Sequence, residues 1–235
     1  EEQAYDEKER RAQARSCAVF LALIAFLLLF LCFWKSSFSF VIVSGSSMDK
    51  TLRSGEYLLS TEVIYPEHEV KRGDIIVVRV SDIPEWQREN AGRPQAQQTH
   101  FLIKRLIAME GDIVRCVNGE MEICYAGTWN EWMDPAVYPF VELDEPYAYY
   151  DEAVGGKSAP CNTFEYTVGE GEIFFLGDNR NHSKDSRYLQ DGYSQLDRLY
   201  QITDITATVS DWAVSHRKGL QKWLVDVPAK IKNIL

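Results

Sequence analysis

Eighteen consecutive uncharged residues constrain this chain more than any other feature of its sequence. Residues 17–34 read CAVFLALIAFLLLFLCFW, and a run of this length and composition is sufficient to cross a bilayer as a helix. The run exceeds the 7 to 15 apolar residues of a cleaved secretory signal, and residues 35–40 match a small-x-small cleavage site poorly. We therefore predict an uncleaved transmembrane anchor at residues 17–34.

The charges flanking this anchor predict its orientation. Four basic residues precede it, at positions 8, 10, 11 and 15, whereas only Lys35 follows closely. Because basic residues accumulate on the cytoplasmic side, we predict that residues 1–16 form a cytoplasmic N-terminal segment. Residues 35–235 then form an extracytoplasmic domain of a single-pass protein in the cytoplasmic membrane.

The charge balance argues against nucleic-acid binding. The net charge is −10, and residues 1–36 hold five acidic and five basic residues, so the whole excess lies in residues 37–235. Proteins that bind nucleic acids usually carry a basic patch. An acidic body of this kind is most often explained by solubility, and we predict no nucleic-acid partner.

After the anchor the sequence is dominated by short β-branched and aromatic runs, which predict a mainly β fold. We predict strands at residues 38–43, 57–64, 75–80, 100–108, 113–117, 173–176 and 202–209. Residues 82–98 are predicted as a loop, and residues 119–170 as a small inserted β-region. An amphipathic tail begins at Trp212 and is expected to pack on the body.

The cysteines of the body allow two arrangements. Cys116 and Cys124 flank Asn118-Gly119, the strongest two-residue hairpin signal. The hairpin brings the two sulfurs close enough for a disulfide in an oxidising compartment, while two free core thiols are equally compatible with the pattern. In either case Cys161 is left over.

A serine on a Gly/Ser-rich turn is the first candidate for chemistry. Ser47 lies in the segment 44–52, SGSSMDKTL, and a serine hydroxyl needs a base within hydrogen-bond reach to act as a nucleophile. Lys104 is the candidate base because it lies between Leu102 and Leu106 on one face of a predicted strand. Burial there would lower its pKa from about 10.4.

A polar loop after strand 173–176 is the third candidate element. Residues 177–187 read GDNRNHSKDSR, which is rich in small polar and paired charged groups. Asp185 and Arg187 are predicted to form an ion pair that fixes the loop. Ser183 is predicted to orient the lysine amine.

Four segments in the same order resemble the type I signal peptidase family, the membrane-bound Ser/Lys proteases that remove secretory signal peptides. They are residues 45–52, 72–77, 103–112 and 177–187, and the resemblance covers residues 38–187. It implies a β-rich catalytic core with a smaller inserted β-region. It implies no metal or cofactor. The implied partners are secretory preproteins with small-x-small cleavage sites and the lipid bilayer, and the implied location is the bacterial cytoplasmic membrane.

The resemblance also assigns roles to the site residues. It implies Ser47 as nucleophile, with its backbone N–H donating to the oxyanion, and Lys104 as general base. It implies that Ser183 hydrogen-bonds the lysine amine and that Asp185 forms an ion pair with Arg187 or Arg105. Leu52 and Ile103 would line shallow pockets for the small substrate residues.

The chain departs from the family pattern at two positions. Lys50 replaces a proline, which removes a fixed φ from the turn after Ser47. Gly45 occupies a position where some members have a hydroxyl residue that completes the oxyanion hole, and Ser44 or Ser46 could substitute for it.

Several rival interpretations are also compatible with parts of the sequence. Ser47 and Lys50 match the S-x-x-K motif of penicillin-binding proteins, but the accompanying S-D-N and K-T-G motifs do not occur. A Ser-His-Asp triad could use His100 or His182. The non-enzymatic alternative is a catalytically impaired signal-peptidase-like protein that assembles surface proteins, and a soluble self-cleaving repressor would lack the anchor.

Overall fold

A computed structural model describes residues 2–158, 164–189 and 200–222. The chain divides into two compact units, residues 1–39 and 40–235. The first unit contains helix α1, Glu2–Ser37. Within it, Gln13–Ser37 is long and apolar enough to cross a membrane by length and composition, with a mean hydropathy of 2.9. This stretch includes the whole of the predicted anchor at residues 17–34.

The body is β-rich, which confirms the predicted fold class. Its larger sheet has six strands among the described residues, in the order β1-β2-β10-β3-β4-β9. These strands are β1 Phe38–Ile42, β2 Tyr57–Glu62, β3 Ile75–Arg79, β4 Phe101–Met109, β9 Ile173–Leu176 and β10 Ile205–Val209. Neighbours from β2 to β9 run antiparallel, and all six strands coincide closely with predicted ones.

The smaller sheet has four strands in the part of the chain that the structure describes, in the order β7-β6-β5-β8. They are β5 Ile113–Val117, β6 Glu120–Cys124, β7 Val141–Glu142 and β8 Phe164–Thr167. Asn118 and Gly119 have φ values of 52° and 86°, as a tight hairpin between β5 and β6 requires. Because β5 belongs to this sheet, the small β-region begins before the predicted boundary at residue 119.

The described body also contains three α-helices, α2 Pro66–Glu69, α3 Pro84–Asn90 and α4 Asp211–Gln221, besides several short 3-10 turns. Helix α3 lies in the region predicted as a loop, because Trp86 is buried and its indole N–H donates to the Tyr200 hydroxyl at 3.1 Å. Helix α4 begins at the predicted tail and packs on the body through buried Ala213. The rest of the predicted tail lies outside the described residues.

Within the described residues, the core has three clusters of buried apolar side chains. One surrounds Ile76, a second includes Met48 and Leu52, and a third lies between the small sheet and β9 around Val114. The second cluster fixes the segment that carries Ser47, because two residues of that segment are part of it.

Neither predicted arrangement of the cysteines is correct. Cys116 is disulfide-bonded, whereas Cys124 is a free thiol. The hairpin signal was right, but cross-strand pairing places Cys116 opposite Met121, not opposite Cys124, which faces Ile113. Cys161 lies outside the described residues.

Candidate active site

The turn that follows β1 presents Ser47 on a compact, anchored backbone. The N–H of Asp49 donates to the Ser46 carbonyl at 3.0 Å, and the N–H of Leu52 donates to the Met48 carbonyl at 2.7 Å. Met48 and Leu52 are buried in the core. The apolar residues of this segment therefore anchor the turn in the core, while Ser47 itself stays partly exposed.

Lys104 lies in the middle of β4, opposite Ile76 of β3. Its Nζ is 2.7 Å from the Ser47 Oγ. The structure thus brings together the two residues that the sequence proposed as nucleophile and base, although 56 residues separate them along the chain. That distance is within the range for direct proton transfer.

The Lys104 side chain is only 3% exposed. Burial lowers its pKa from 10.5 to about 8, an effect opposed by the negative charges of Asp185 and Asp178 and reinforced by Arg187. The amine is therefore partly neutral near physiological pH, as a general base requires.

The polar loop 177–187 packs closely against the Ser47 turn at Gly177. A Cβ at Gly177 would lie 2.2 Å from Ser183 Oγ and 2.5 Å from the Ser47 carbonyl oxygen. Since such distances are too short for any side chain, glycine is required where the loop passes the nucleophile turn.

Ser183 is near the pair but does not make the predicted bond to the lysine. Its Oγ is buried and, by hydrogen-bond geometry, has no partner among the described residues. The hydroxyl nevertheless lies close enough to Asp185 to help lower the pKa of that carboxylate. In this structure Lys104 Nζ is directed to Ser47 instead.

Asp185 forms the predicted ion pair with Arg187. The Arg187 Nε and Nη2 donate to the two carboxylate oxygens at 2.8 Å each. Burial pushes the pKa of Asp185 upward, but the charge and hydrogen bonds of Arg187 outweigh it and the net pKa is lowered. The carboxylate is therefore charged and fixed close to Lys104.

The alternative pairing of Asp185 with Arg105 is wrong. Arg105 binds Asp178 through two hydrogen bonds, Nε to Oδ1 at 2.9 Å and Nη2 to Oδ2 at 2.7 Å. The Asp178 side chain also accepts from the Thr51 hydroxyl at 2.6 Å. Sequence reasoning missed Asp178, although it lies in the polar loop, because nothing in the sequence indicates which carboxylate reaches across to β4.

One of the two predicted pocket residues is wrong. Leu52 has no exposed surface and belongs to the core cluster around Met48. A fully buried side chain has no surface left with which to line a pocket. Ile103 is half-buried against the same cluster, so its role in substrate binding stays a prediction.

The turn at Lys50 is a larger departure from the family pattern than the sequence suggested. Its φ is 79°, which proline cannot adopt. Its Nζ lies 4.4 Å from the centre of the Tyr149 ring. The lysine is therefore directed toward the segment around Tyr149, and Ser47 bonds to Lys104 instead, which disfavours the S-x-x-K interpretation.

The segment around Tyr149 also holds the polar loop, which the sequence did not predict. The N–H of Tyr149 donates to the Asp178 carbonyl at 2.7 Å, and its carbonyl accepts from the Arg180 N–H at 2.9 Å. The buried Arg180 side chain binds Glu145 at 2.7 Å through Nη1. This contact extends the smaller β-region to the candidate site.

Neither histidine of the rival triad is hydrogen-bonded to Ser47 among the described residues. His182 pairs with Asp151 at 3.2 Å, with its side chain 44% exposed, and His100 is exposed. Among the residues that the structure describes, no group of three or more His, Cys, Asp and Glu is placed to hold a metal ion.

Comparison with known proteins places the chain in a family. A family model described as signal peptidase, peptidase S26, matches residues 15–206. Signal peptidase I of Bacillus caldolyticus is 28% identical over 205 residues, which cover 84% of this chain and 91% of that protein. Signal peptidase I of Bacillus licheniformis is 30% identical over 62% of this chain and 64% of its own length.

A third relative, signal peptidase I of Streptococcus pneumoniae TIGR4, is 28% identical over 189 residues, covering 73% of this chain and 82% of that protein. The family match extends from the apolar helix to β10 and includes all four motif segments. It favours an enzyme over the assembly protein considered above. The chain therefore belongs to the signal peptidase family, peptidase S26, and is a serine peptidase.

Proposed function

We propose that this protein is a membrane-bound endopeptidase that removes signal peptides from secreted preproteins by a Ser/Lys mechanism. The observation that carries the proposal is the 2.7 Å contact between Lys104 Nζ and Ser47 Oγ. It is supported by the lowered pKa of Lys104, about 8. At pH 7 about one molecule in ten would hold a neutral lysine ready to accept a proton.

The first half of the reaction is acyl transfer. The Ser47 hydroxyl gives its proton to neutral Lys104 while its oxygen forms a bond to the carbonyl carbon of the small residue that precedes the cleavage site. The C–N bond then breaks, and the protonated lysine gives the proton to the departing amine of the mature protein. The developing oxyanion accepts a hydrogen bond from the Ser47 N–H, a type of donor worth about 3 kcal/mol.

The second half is hydrolysis. Neutral Lys104 takes a proton from water while the water oxygen forms a bond to the acyl carbon. The ester bond to Ser47 then breaks, the protonated lysine gives its proton to the Ser47 oxygen, and the signal peptide leaves as a carboxylic acid. Asp185 and Arg187 support both halves by fixing the loop beside Lys104, and Arg105 supports the turn through Asp178 and Thr51. Ser183 would hold the lysine amine once its bond to Ser47 breaks.

The apolar stretch Gln13–Ser37 would anchor the enzyme. In the predicted orientation, residues 1–16 are cytoplasmic and residues 35–235 are outside the bacterial cytoplasmic membrane. A signal peptide is itself membrane-inserted, so an anchored enzyme meets its scissile bond near the bilayer surface. We propose preproteins with small-x-small sites as substrates, with Ile103 among the residues that contact them.

The proposal is tested with a fluorogenic Ala-x-Ala peptide and detergent-solubilised protein from pH 6 to 10. Wild type should cleave after the second alanine, with a rising limb in kcat/KM centred near pH 8 because Lys104 must lose its proton. Ser47→Ala should be inactive, and Lys104→Met should lose about 10²–10⁴-fold in kcat/KM. Lys50→Met is the control for the rival motif, and loss of activity in that variant alone would mean that Lys50 is the base.

A further inference from the structure

The peptide bond between Ser46 and Ser47 is held through its carbonyl oxygen. That oxygen accepts from the Asp49 N–H at 3.0 Å and from the Asn179 Nδ2 at 3.0 Å. The first bond closes the turn locally. The second comes from the polar loop, 133 residues away in sequence.

The geometry of a trans peptide makes this carbonyl bond relevant to catalysis. The peptide unit is planar, so its C=O and N–H point in opposite directions, and the described peptide bonds include no cis form. Fixing the Ser46 carbonyl therefore fixes the direction of the Ser47 N–H. Within the described part of the chain that N–H has no acceptor, so it is available to an oxyanion.

Asn179 makes a second contact with the same residue. Its backbone N–H donates to the Ser47 carbonyl at 3.0 Å. The two peptide units that flank Ser47 are thus both held by one residue of the loop. Substitution of Asn179 would remove only the side-chain bond and leave the backbone bond in place.

The side chain of Asn179 is otherwise unfavourable where it lies. It is 3% exposed, and its Oδ1 is buried with no partner among the described residues. A buried unpaired acceptor destabilises a folded protein. The bond that the Asn179 Nδ2 donates to the Ser46 carbonyl is therefore the contact that explains an amide at this position.

We propose that Asn179 is a positioning residue for the oxyanion hole: its side-chain amide orients the Ser46–Ser47 peptide so that the Ser47 N–H points at the oxyanion. The proposal rests on the proposed function. Because Gly45 has no side-chain hydroxyl that could donate to the oxyanion, the direction of the Ser47 N–H matters more in this chain.

The test compares Asn179→Leu, which keeps the approximate shape without the amide, with Asn90→Leu. Asn90 is a matched control because it is also buried and its Nδ2 also donates to a backbone carbonyl, that of Thr99 at 2.8 Å, away from Ser47. Each variant is assayed with the Ala-x-Ala peptide for kcat, KM and pH dependence. A peptide aldehyde of the same sequence, which forms a tetrahedral adduct with serine, measures affinity for the oxyanion.

For Asn179→Leu we expect kcat to fall about 10- to 100-fold, less than the 10²–10³-fold loss seen when an oxyanion donor is removed. The inhibition constant of the aldehyde should rise in parallel, with KM and the rising pH limb unchanged. Asn90→Leu should change none of these by more than about twofold. If the Asn179→Leu variant does not fold, Asn179→Ala, which also removes the unpaired oxygen, should show the same loss of kcat.

Three results would overturn the proposal: an unchanged kcat, a higher KM with the same kcat, or a shift of the pH limb that accounts for the loss. The last would mean that Asn179 acts on Lys104. Wild type and Ser47→Ala are run in the same assay. If wild type fails to cleave, or Ser47→Ala cleaves as well, the proposed function fails; if both behave as expected while the Asn179 variants keep full kcat, only this inference fails.

Discussion

Two lysines in neighbouring regions of the body have opposite electrostatic environments. On β4, Lys104 is buried, and its Nζ is hydrogen-bonded to the Ser47 hydroxyl. In the polar loop, Lys184 contacts the carboxylates of Glu85, at 2.6 Å, and Glu89. One amine meets a neutral hydroxyl, and the other meets two negative charges.

The pKa values of the two lysines respond accordingly. Burial lowers the pKa of Lys104 to about 8, because the more distant carboxylates only partly oppose it. Burial also acts on Lys184, but the hydrogen bonds and charges of Glu85 and Glu89 outweigh it and raise its pKa. Burial without a directly paired carboxylate is therefore what distinguishes the candidate base from a structural lysine.

The largest expected effect is on activity and separates the two lysines. Lys104→Met should lower kcat/KM by about 10²–10⁴-fold, the usual contribution of a general base. Lys184→Met should stay within about threefold of wild type, because a partly exposed ion pair contributes less than about 1 kcal/mol. The measurement is steady-state cleavage of the Ala-x-Ala peptide. Equal losses in both variants would remove the distinction.

The next effect concerns the close approach of Gly177 to Ser183 and to the Ser47 carbonyl. Gly177→Ala should reduce kcat by about 10²-fold, because the added Cβ forces the loop or the Ser47 turn to shift by a large fraction of an ångström. Gly219→Ala, on helix α4 where a Cβ meets nothing within 4 Å, is the control and should cleave normally. A fully active Gly177→Ala would show that the site tolerates this displacement.

The third effect is on stability: Lys104→Met, which lowers activity, should raise the free energy of unfolding. The folded-state pKa of Lys104, about 8, lies below the unfolded value of 10.5, so the unfolded chain binds more protons between these values and wild-type stability rises with pH across this window. Below pH 8 the buried charge costs about 3 kcal/mol. Lys104→Met should therefore be more stable at pH 7, with the advantage lost by about pH 10.5.

Thermal unfolding of wild type and Lys104→Met at intervals from pH 6 to 11 measures this directly. Lys184→Met is the control, since its pKa is raised and it carries no comparable penalty. A constant difference between Lys104→Met and wild type at all pH values would contradict the lowered pKa.

The smallest effect concerns the ion pairs of Lys184. Lys184→Met should lower the free energy of unfolding by less than about 1 kcal/mol, because the side chains involved are partly exposed and salt screens them. Denaturant unfolding at low and high salt measures it, and the loss should shrink at high salt. A loss of several kcal/mol would mean that the contact with α3 is essential for the fold of the loop.

Whether a contact could be predicted from the sequence depended on whether its partners lie close together along the chain. The ion pair of Asp185 and Arg187 was predicted because only one residue separates them in the sequence. The partner of Arg105 was not, since Asp178 and Asp185 lie in the same loop and only the path of the chain decides which one reaches β4. Helix α3 was missed for a similar reason: its buried Trp86 depends on the distant Tyr200.

The sequence by itself predicted the apolar helix, the six strands of the larger sheet, the resemblance to the family, and Ser47 and Lys104 as the candidate pair, because these follow from periodicity and short motifs. Only the tertiary structure decided that Leu52 is a core residue, that Cys116 does not pair with Cys124, that Lys50 has a positive φ, and that Asn179 holds the Ser46 carbonyl. Each of these depends on which distant groups meet in three dimensions. Hydrogen-bond geometry and exclusion of water set such contacts, and a linear pattern does not contain them.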